Sequence, residues 1–225
     1  MSQQVTIHIA NENHFRYAAE ICSVIESSAK VRGTGIAKRT PDYVQTKMEN
    51  GNAVIALAGN DFAGFCYIEV WGHGKYVAHS GLIVHPDYRK QGLAKKIKEF
   101  TFNYSLQKFP ESKVFGITTG LAVMKINSDL GYKPVTFSEL TDDPKFWSGC
   151  QTCANFEILK SKEYKMCLCT GMLYDPAEKN NKKKEDTKRN WFDKTVLKRL
   201  KRIKQSMLTL KKKKNFVKIE LRNSK

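Results

Sequence analysis

The residues of this chain most suited to bind a ligand lie in a basic, glycine-containing loop. The loop connects an apolar run at 79–84 to a segment with helical spacing from Leu93. Pro86 ends the apolar run as a strand, because proline has no N–H to donate to a sheet. The free amides at the start of the following helix, together with the helix dipole, favour a bound anion. Gly92 lets the backbone approach that anion closely. The loop residues Arg89, Lys90 and Gly92, together with the helix start, therefore predict an anion site.

The order Arg89-x-x-Gly92-x-Ala94 at a strand-to-helix junction resembles the pyrophosphate-binding motif of the GCN5-related N-acetyltransferase (GNAT) superfamily. The resemblance implies that the loop holds the diphosphate of an acyl-CoA, either acetyl-CoA or succinyl-CoA. The residues it places around the diphosphate are Arg89, Lys90, Gln91, Gly92, Leu93, Ala94 and Lys95. It also implies that the pantetheine arm pairs as an added strand with Leu82, Ile83 and Val84. The alternatives fail on spacing, because the chain has no P-loop motif and Gly33-Thr-Gly35 lacks the third glycine of a dinucleotide fingerprint.

The elements around this loop follow a mixed order, β-α-α-β-β-β-α-β-α-β. Alternating or continuous apolar runs predict strands at 5–9, 53–58, 62–71, 79–84, 114–119 and from 135, with a possible return to the sheet after 156. Helical spacing predicts helices at 15–28, 41–48, 93–107 and 122–130. This order matches the α/β (α+β) fold of the GNAT family over about residues 5–175. The resemblance implies a mixed central sheet whose parallel strands 79–84 and 114–119 splay apart and expose unpaired backbone groups.

The reaction that the resemblance implies is attack of an amine on an acyl thioester. It needs a neutral amine, a donor for the developing oxyanion and a proton for the departing thiolate. Glu69, His79 and Ser80 lie on candidate strands near the expected site and are the catalytic candidates. Two of them have structural alternatives: Glu69 could pair with a lysine, and His79 could be a hydrogen-bonded strand histidine.

The expected proton donor is where the chain departs from the family. Many members carry a tyrosine four residues before a glycine–aromatic pair that ends the helix after the splayed strand. That pair is Gly131-Tyr132 here, and Asn127 stands four residues earlier. An amide can hold the coenzyme but has no titratable proton to donate. We therefore expect Asn127 to bind the coenzyme and Tyr132 to lie in the core.

The segment from Arg32 to Arg39 connects the first two predicted helices and is similar to the Arg-Gly-Thr-Gly loop of short, stand-alone N-acetylglutamate synthases. That resemblance implies transfer of an acetyl or succinyl group to glutamate in arginine biosynthesis. Arg32, Lys38 and Arg39 would bind the acidic acceptor, since guanidinium groups suit carboxylates. For the loop itself, the alternative is a solvated basic segment. For the function of the protein, the alternatives are a protein N-acetyltransferase and a non-catalytic module that binds coenzyme A and associates with nucleic acid.

Four cysteines, Cys150, Cys153, Cys167 and Cys169, fall within twenty residues. Four thiols at this density predict a structural zinc site, although Cys-x-Cys is tighter than the usual spacing. Buried or loosely exposed thiols in a final hairpin are the alternative.

The charge is concentrated at one end of the chain. The 225 residues carry +17, and residues 179–225 hold 19 Lys and Arg against 4 Asp and Glu, which leaves about +2 for residues 1–178. We predict an acyltransferase domain at 1–175, with its cysteine-rich end at 150–169, and a Lys-rich linker and amphipathic helical tail at 176–225. The tail could contact nucleic acid, an anionic membrane surface or a homodimer partner, or act as a solubilising extension. Without an apolar span or a signal-peptide pattern, a cytoplasmic protein is expected.

Overall fold

A seven-stranded mixed sheet forms the centre of the computed structural model, which describes residues 4–32 and 37–178. The strand order is β1-β2-β3-β4-β5-β7-β6, and every neighbouring pair is antiparallel except β4 and β5. The strands are β1 (Val5–Ile9), β2 (Ala53–Ala58), β3 (Asp61–Trp71), β4 (Tyr76–Val84), β5 (Lys113–Thr118), β6 (Lys133–Val135) and β7 (Thr170–Tyr174).

The helices cover both faces of this sheet. They are α1 (Ala18–Arg32), α2 (Pro41–Glu49), α3 (Leu93–Lys108), α4 (Leu121–Asp129), α5 (Pro144–Ser148) and α6 (Phe156–Ser161). Alternation along the strands divides the core between the faces. Ile55 and Phe65 pack with the residues of α1 and α2, whereas Val54 and Cys66 pack with Leu93 and its neighbours in α3. The central strands are therefore buried on both sides.

The parallel strands β4 and β5 separate part-way along their length, as the sequence predicted. Their pairing ends at Ala78 and Phe115, although β4 continues to Val84. On its other edge β4 shifts register against β3, with Tyr67 opposite Ser80 and Phe65 opposite Ile83. Gly81 lies in this bulge with φ +64°. A bulge increases the local twist of a strand, which turns the end of β4 away from β5.

The predicted fold class, an α/β fold of the GNAT type, is confirmed. The helix predicted at 15–28 starts as a 3₁₀ turn at Glu12–Tyr17 and continues as α1. Helices α5 and α6 were missed, because each is shorter than seven residues and has too few turns to show a period. Residues 1–176 form one compact unit. The basic tail lies beyond the described residues, and within the described residues no helix has the length and apolarity to cross a bilayer.

Candidate active site

The predicted anion loop ends in the left-handed N-cap of α3. Gly92 has φ +75°, and a Cβ atom built there would meet no atom within 4 Å. No side chain caps the helix, whose first turn therefore keeps amides free to bind an anion. Lys90 also has a positive φ, of 62°, which is uncommon for a residue with a side chain. The loop backbone thus forms an open cradle at Gly92, and anion binding there stays a prediction.

Two basic side chains of the loop lie elsewhere than expected. The Arg89 guanidinium turns back into the protein, where Nε donates to the Val84 carbonyl at 3.0 Å and Nη2 donates to Ser28 Oγ at 2.8 Å. The Arg89 side chain thus connects the end of β4 to α1 through hydrogen bonds. Lys95 lies 3.7 Å from Asp129 Oδ2 at the end of α4. The contribution of this loop to an anion site therefore comes mainly from its backbone.

A cavity of about 680 Å³ begins where β4 and β5 separate. Of the residues predicted along the pantetheine, Leu82 and Ile83 line it, whereas Val84 is buried against Leu93 and Ile97. The β5 wall consists of residues 115–118. Beyond the last β4–β5 pair, the facing edges of the two strands are free to hydrogen-bond an extended ligand.

Glu69 and Ser80 meet on the α1–α2 face of the sheet. Ser80 Oγ donates to Glu69 Oε2 at 3.2 Å, and the Tyr43 hydroxyl donates a short hydrogen bond to Glu69 Oε1. Lys47 Nζ lies 3.3 Å from the same Oε1. Burial, together with the neighbouring Tyr67 and Glu69, holds the pKa of Tyr43 far above its ordinary value, so this phenol stays protonated. A buried carboxylate held by three partners is thus present on the cavity wall.

The third catalytic candidate, His79, belongs to the opposite face. Its Nε2 is 2.9 Å from Ser105 Oγ and its Nδ1 is 3.2 Å from the Tyr132 hydroxyl. Burial lowers the pKa of His79 well below 6.5, so the ring is neutral. Both ring nitrogens are engaged in the core, so the geometry favours the structural alternative for His79 over a catalytic base. Tyr132 is a core residue, as expected.

Asn127 and Lys98 line the cavity on the α3–α4 face. The Asn127 side chain is 1% exposed, its Nδ2 lies 3.6 Å from Met172 Sδ, and its Oδ1 has no hydrogen-bond partner within the described part of the chain. Lys98 is 3% exposed, and its Nζ lies 5.1 Å from the centroid of the Tyr132 ring. Burial lowers the pKa of Lys98 to about 8. This wall therefore presents an unsatisfied acceptor and a buried amine.

Of the three predicted acceptor-binding residues, Arg39 lines the cavity. Its Nε donates to the Tyr67 hydroxyl at 2.7 Å, and the guanidinium lies over the Tyr43 ring at 5.1 Å. Lys38 lies outside the cavity wall, with Nζ 3.6 Å from Glu26 and 71% of its side chain exposed. Lys38 therefore does not line the cavity in which the acceptor is expected. The Arg32 side chain falls outside the described residues.

The predicted zinc site is not found. Cys150, Cys153, Cys167 and Cys169 all line the cavity, but no three or more His, Cys, Asp or Glu side chains of the described residues are arranged to hold a metal ion. Burial first, and then the neighbouring thiols, raise the pKa of Cys150 to about 11 and that of Cys169 to about 12. Cys167 Sγ donates to the Asn155 carbonyl at 3.8 Å. The raised pKa values keep Cys150 and Cys169 protonated, and Cys150, Cys167 and Cys169 pack beside the Phe115 cluster.

Among the cavity residues that sequence reasoning did not single out are Tyr43, Lys47 and Lys98. Lys98 did leave a signal, since it lies three residues before Thr101 on the buried stripe of α3. A lysine on such a stripe is rarely buried without a reason. Tyr43 and Lys47 show no such signal in the sequence, because their contact with Glu69 depends on how α2 packs against β3.

The residues present fit an acyl-CoA. The cradle at Gly92 has room for a phosphate. The separated strands offer backbone partners to an extended amide chain, and Asn127 Oδ1 offers an unused acceptor inside the cavity. Together these features match what an acyl-CoA requires of a site, and the same cavity extends to Glu69.

Comparison with known proteins agrees with this interpretation. Residues 24–108 match the model of the acetyltransferase (GNAT) family. This match supports the predicted resemblance to the GNAT family over that segment, which is less than half of the chain, and acyl-CoA-dependent N-acyltransferase is the enzyme class that the resemblance implies. A search of curated proteins finds no match.

Solved structures show the same fold at low identity. The chain is similar to an N-acetylglutamate synthase from Neisseria gonorrhoeae complexed with coenzyme A and N-acetyl-glutamate, with 12% identity and a TM-score of 0.56 over 76% of this chain and 35% of that chain. It is similar to the diaminobutyrate acetyltransferase of Paenibacillus lautus, complexed with its substrate and coenzyme A, with 11% identity and a TM-score of 0.53 over 77% and 96%. A third is the ribosomal-protein-S18-alanine N-acetyltransferase of Escherichia coli, with 13% identity and a TM-score of 0.50 over 76% and 94%. The chain spans about a third of the length of the N. gonorrhoeae synthase.

Proposed function

We propose that this protein transfers an acyl group from acyl-CoA to the α-amine of a small acidic amino acid, glutamate first. The observation that carries the proposal is the composition of the cavity wall on the α1–α2 face. A buried carboxylate, Glu69, lies there beside two cations, Arg39 and Lys47. The Glu69 carboxylate can bind the amine of the acceptor, and the Arg39 guanidinium can bind its carboxylates.

The donor occupies the other half of the cleft in this proposal. The amides at Gly92 and in the first turn of α3 hold the diphosphate, and the free edge of β4 at Leu82 and Ile83 pairs with the pantetheine. Asn127 Oδ1 accepts a hydrogen bond from an amide of that arm. Acyl-CoA supplies an activated acyl group as a thioester, and a backbone N–H of β4 beyond the last β4–β5 pair stabilises the oxyanion.

Glu69 orients the acceptor amine and receives its proton. Oε1 is occupied by Tyr43 and Lys47, so Oε2, which Ser80 contacts, is the oxygen turned to the substrate. Ser80 belongs to the part of β4 beyond its last pair with β5 and contacts Glu69, so it can hold the amine or a bridging water. Because Tyr43 stays protonated, it keeps Oε1 as an acceptor and fixes the carboxylate plane.

Arg39 selects the acceptor. Its Nε is held by Tyr67 and its face by the Tyr43 ring, so the guanidinium is fixed with donors left over. A fixed guanidinium gains more from a second carboxylate than from a neutral amide. We therefore propose glutamate over glutamine as the acceptor, and arginine biosynthesis in the cytoplasm as its setting.

The test is thiol release by the purified full-length protein, with acetyl-CoA and succinyl-CoA each crossed with an acceptor panel. The panel contains glutamate, glutamine, aspartate, 2,4-diaminobutyrate, lysine and a short peptide with a free N-terminus. The expected result is release that depends on glutamate and exceeds that with glutamine, with acetyl-CoA as the better donor. Release with the peptide alone would contradict the proposal and favour a protein N-acetyltransferase. Coenzyme binding without release would favour a non-catalytic module.

A further inference from the structure

The buried amine of Lys98 has no role in the binding of either substrate described above. Lys98 lies in α3 between Ile97 and Thr101, both fully buried, and points into the cavity beside Asn127. The described residues place no carboxylate in an ion pair with it. A buried ammonium without a counter-ion is costly, and it favours any anion that enters the cavity.

The surroundings of Lys98 on each packed element are neutral or weakly titratable. Cys66 of β3 is buried and its thiol pKa is raised by desolvation. His79 of β4 is neutral, and the Tyr132 hydroxyl contacts the His79 ring while its aromatic face receives the Lys98 amine. The pKa of Lys98, lowered to about 8 by burial, leaves it mainly protonated at neutral pH yet able to release a proton. None of these neighbours can neutralise the ammonium at pH 7.

Lys98 and Glu69 lie on opposite faces of the sheet, and both line the same cavity. Cys66, the strand residue packed with α3, alternates with Tyr67, which packs with α1 and α2. The Glu69 carboxylate therefore lies on the α1–α2 side of the cavity. The Lys98 cation lies on the α3–α4 side, with Asn127 and the β5 wall. An acyl transfer across this sheet develops positive charge on the amine near Glu69 and negative charge on the leaving sulfur.

We infer that Lys98 is the general acid of the reaction, which donates its Nζ proton to the departing thiolate of coenzyme A. This inference rests on the proposed acyl transfer and deepens it. The carbon–sulfur bond breaks and its electron pair passes to sulfur, which then takes the proton from Lys98 Nζ. The neutral amine recovers a proton from water in the cavity. Lys98 thereby fills the role for which Asn127, at the position of the family tyrosine, has no titratable proton.

The first experiment reads the thiol directly and does not depend on turnover. Coenzyme A is bound to the full-length protein, and the ultraviolet absorbance of its thiolate is followed against pH, with desulfo-coenzyme A as the blank. A nearby ammonium lowers the pKa of a thiol, so we expect the bound thiol to titrate about one pH unit or more below the free thiol. The Lys98→Met variant should lose this difference. An unchanged thiol pKa in the wild type overturns the inference, even if the variant fails to fold.

The second experiment separates charge from proton donation. Lys98→Met should lower kcat by about 100-fold, the scale of general acid catalysis, while the KM for acyl-CoA changes little. Lys98→Arg keeps the charge but cannot release its proton, so it should retain the low thiol pKa without restoring kcat. The matched control is Lys75→Met, an exposed lysine in the β3–β4 turn, which should behave as the wild type.

The pH dependence gives a further readout. In the wild type kcat should fall as the pH rises through about 8, because the deprotonated amine cannot donate. A kcat that stays flat to high pH, or full activity in Lys98→Arg, contradicts the role of Lys98 as the acid. Absence of turnover in the wild type with every acceptor would instead contradict the proposed function, and the thiolate titration would still test Lys98.

Discussion

The ring of Tyr67 lies against the backbone of Gly81 on the neighbouring strand, so that a Cβ atom at position 81 would come within 2.4 Å of ring carbon Cε1. Gly81 also has φ +64°. The bulge that turns β4 away from β5 therefore depends on a residue without a side chain. Tyr67 in turn holds Arg39 through its hydroxyl. Tyr67 thus contacts both the bulge where β4 and β5 separate and the Arg39 guanidinium on the acceptor side.

Replacement of Gly81 with alanine should lower the free energy of unfolding by about 2–4 kcal/mol, since a left-handed backbone and an overpacked contact both add cost. Urea denaturation measures the change. Gly74→Ala is the matched control, because Gly74 has φ +88° but a Cβ there meets no atom within 4 Å. It should cost only about 1–2 kcal/mol, the backbone part alone. Equal losses in the two variants would show that the Tyr67 contact does not constrain the bulge.

Glu69→Gln should reduce kcat by about 100-fold or more, since the amide keeps the shape of the carboxylate but cannot receive a proton. The KM for the acyl donor should change little, because the donor site lies on the far side of β4. Steady-state kinetics of thiol release provide the measurement. Glu111→Gln, at an exposed carboxylate before β5, serves as the control and should leave kcat unchanged. Near-normal turnover in Glu69→Gln would mean that another group, or water alone, takes the amine proton.

Gly92→Glu should abolish coenzyme A binding, because it places bulk and negative charge at the N-cap of α3 where the phosphates are held. Isothermal titration with coenzyme A measures the affinity. Gly92→Ala adds only a methyl group in open space, so it should keep most of the affinity and lose about 1–2 kcal/mol of stability through φ +75°. Undiminished binding by Gly92→Glu would contradict the phosphate assignment of the loop.

Arg39→Met should raise the KM for glutamate about 10- to 100-fold, as expected when a hydrogen bond to a charged group worth about 1.5–3 kcal/mol is lost. The KM for acyl-CoA should stay within about twofold, since Arg39 belongs to the acceptor wall. Lys30→Met, at a lysine with 75% of its side chain exposed, is the control. A parallel rise in both KM values would indicate that Arg39 acts through Tyr67 on the whole cleft.

Much of the donor side could be predicted from the sequence. The anion loop needs only a strand, a glycine and a helix start in order, which local patterns reveal. Alternation also shows that His79 and Ser80, as consecutive strand residues, point to opposite faces of the sheet, although both line the same cavity. The sequence could not show whether His79 or Ser80 is the residue that points toward the acceptor. That depends on the register that sets Glu69 opposite Ala78.

The parts that sequence reasoning missed or misplaced depend on packing between distant segments. Tyr43 reaches Glu69 only because α2 crosses β3, and Arg89 turns inward only because Ser28 of α1 lies within its reach. The four cysteines have the spacing of metal ligands, but burial raises the pKa of Cys150 and of Cys169, which keeps these two thiols protonated. Spacing along the chain shows which groups are available, whereas burial decides their charge.

The neutral state of His79 should make the fold sensitive to acid. Its pKa in the folded protein lies well below the ordinary value of 6.5, so the unfolded chain binds a proton there that the folded protein does not. The stability is therefore full above pH 6.5 and falls below it, by about 1.4 kcal/mol per pH unit from this group. His79→Gln lacks the titrating ring, so the difference in unfolding free energy between wild type and variant should shrink from pH 7.5 to pH 5, as urea denaturation can measure. His8→Gln, at an exposed histidine of β1, should give a curve parallel to that of the wild type. A wild-type–His79→Gln difference that stays constant over this range would show that His79 has the same pKa in the folded and the unfolded protein, which contradicts the lowered pKa.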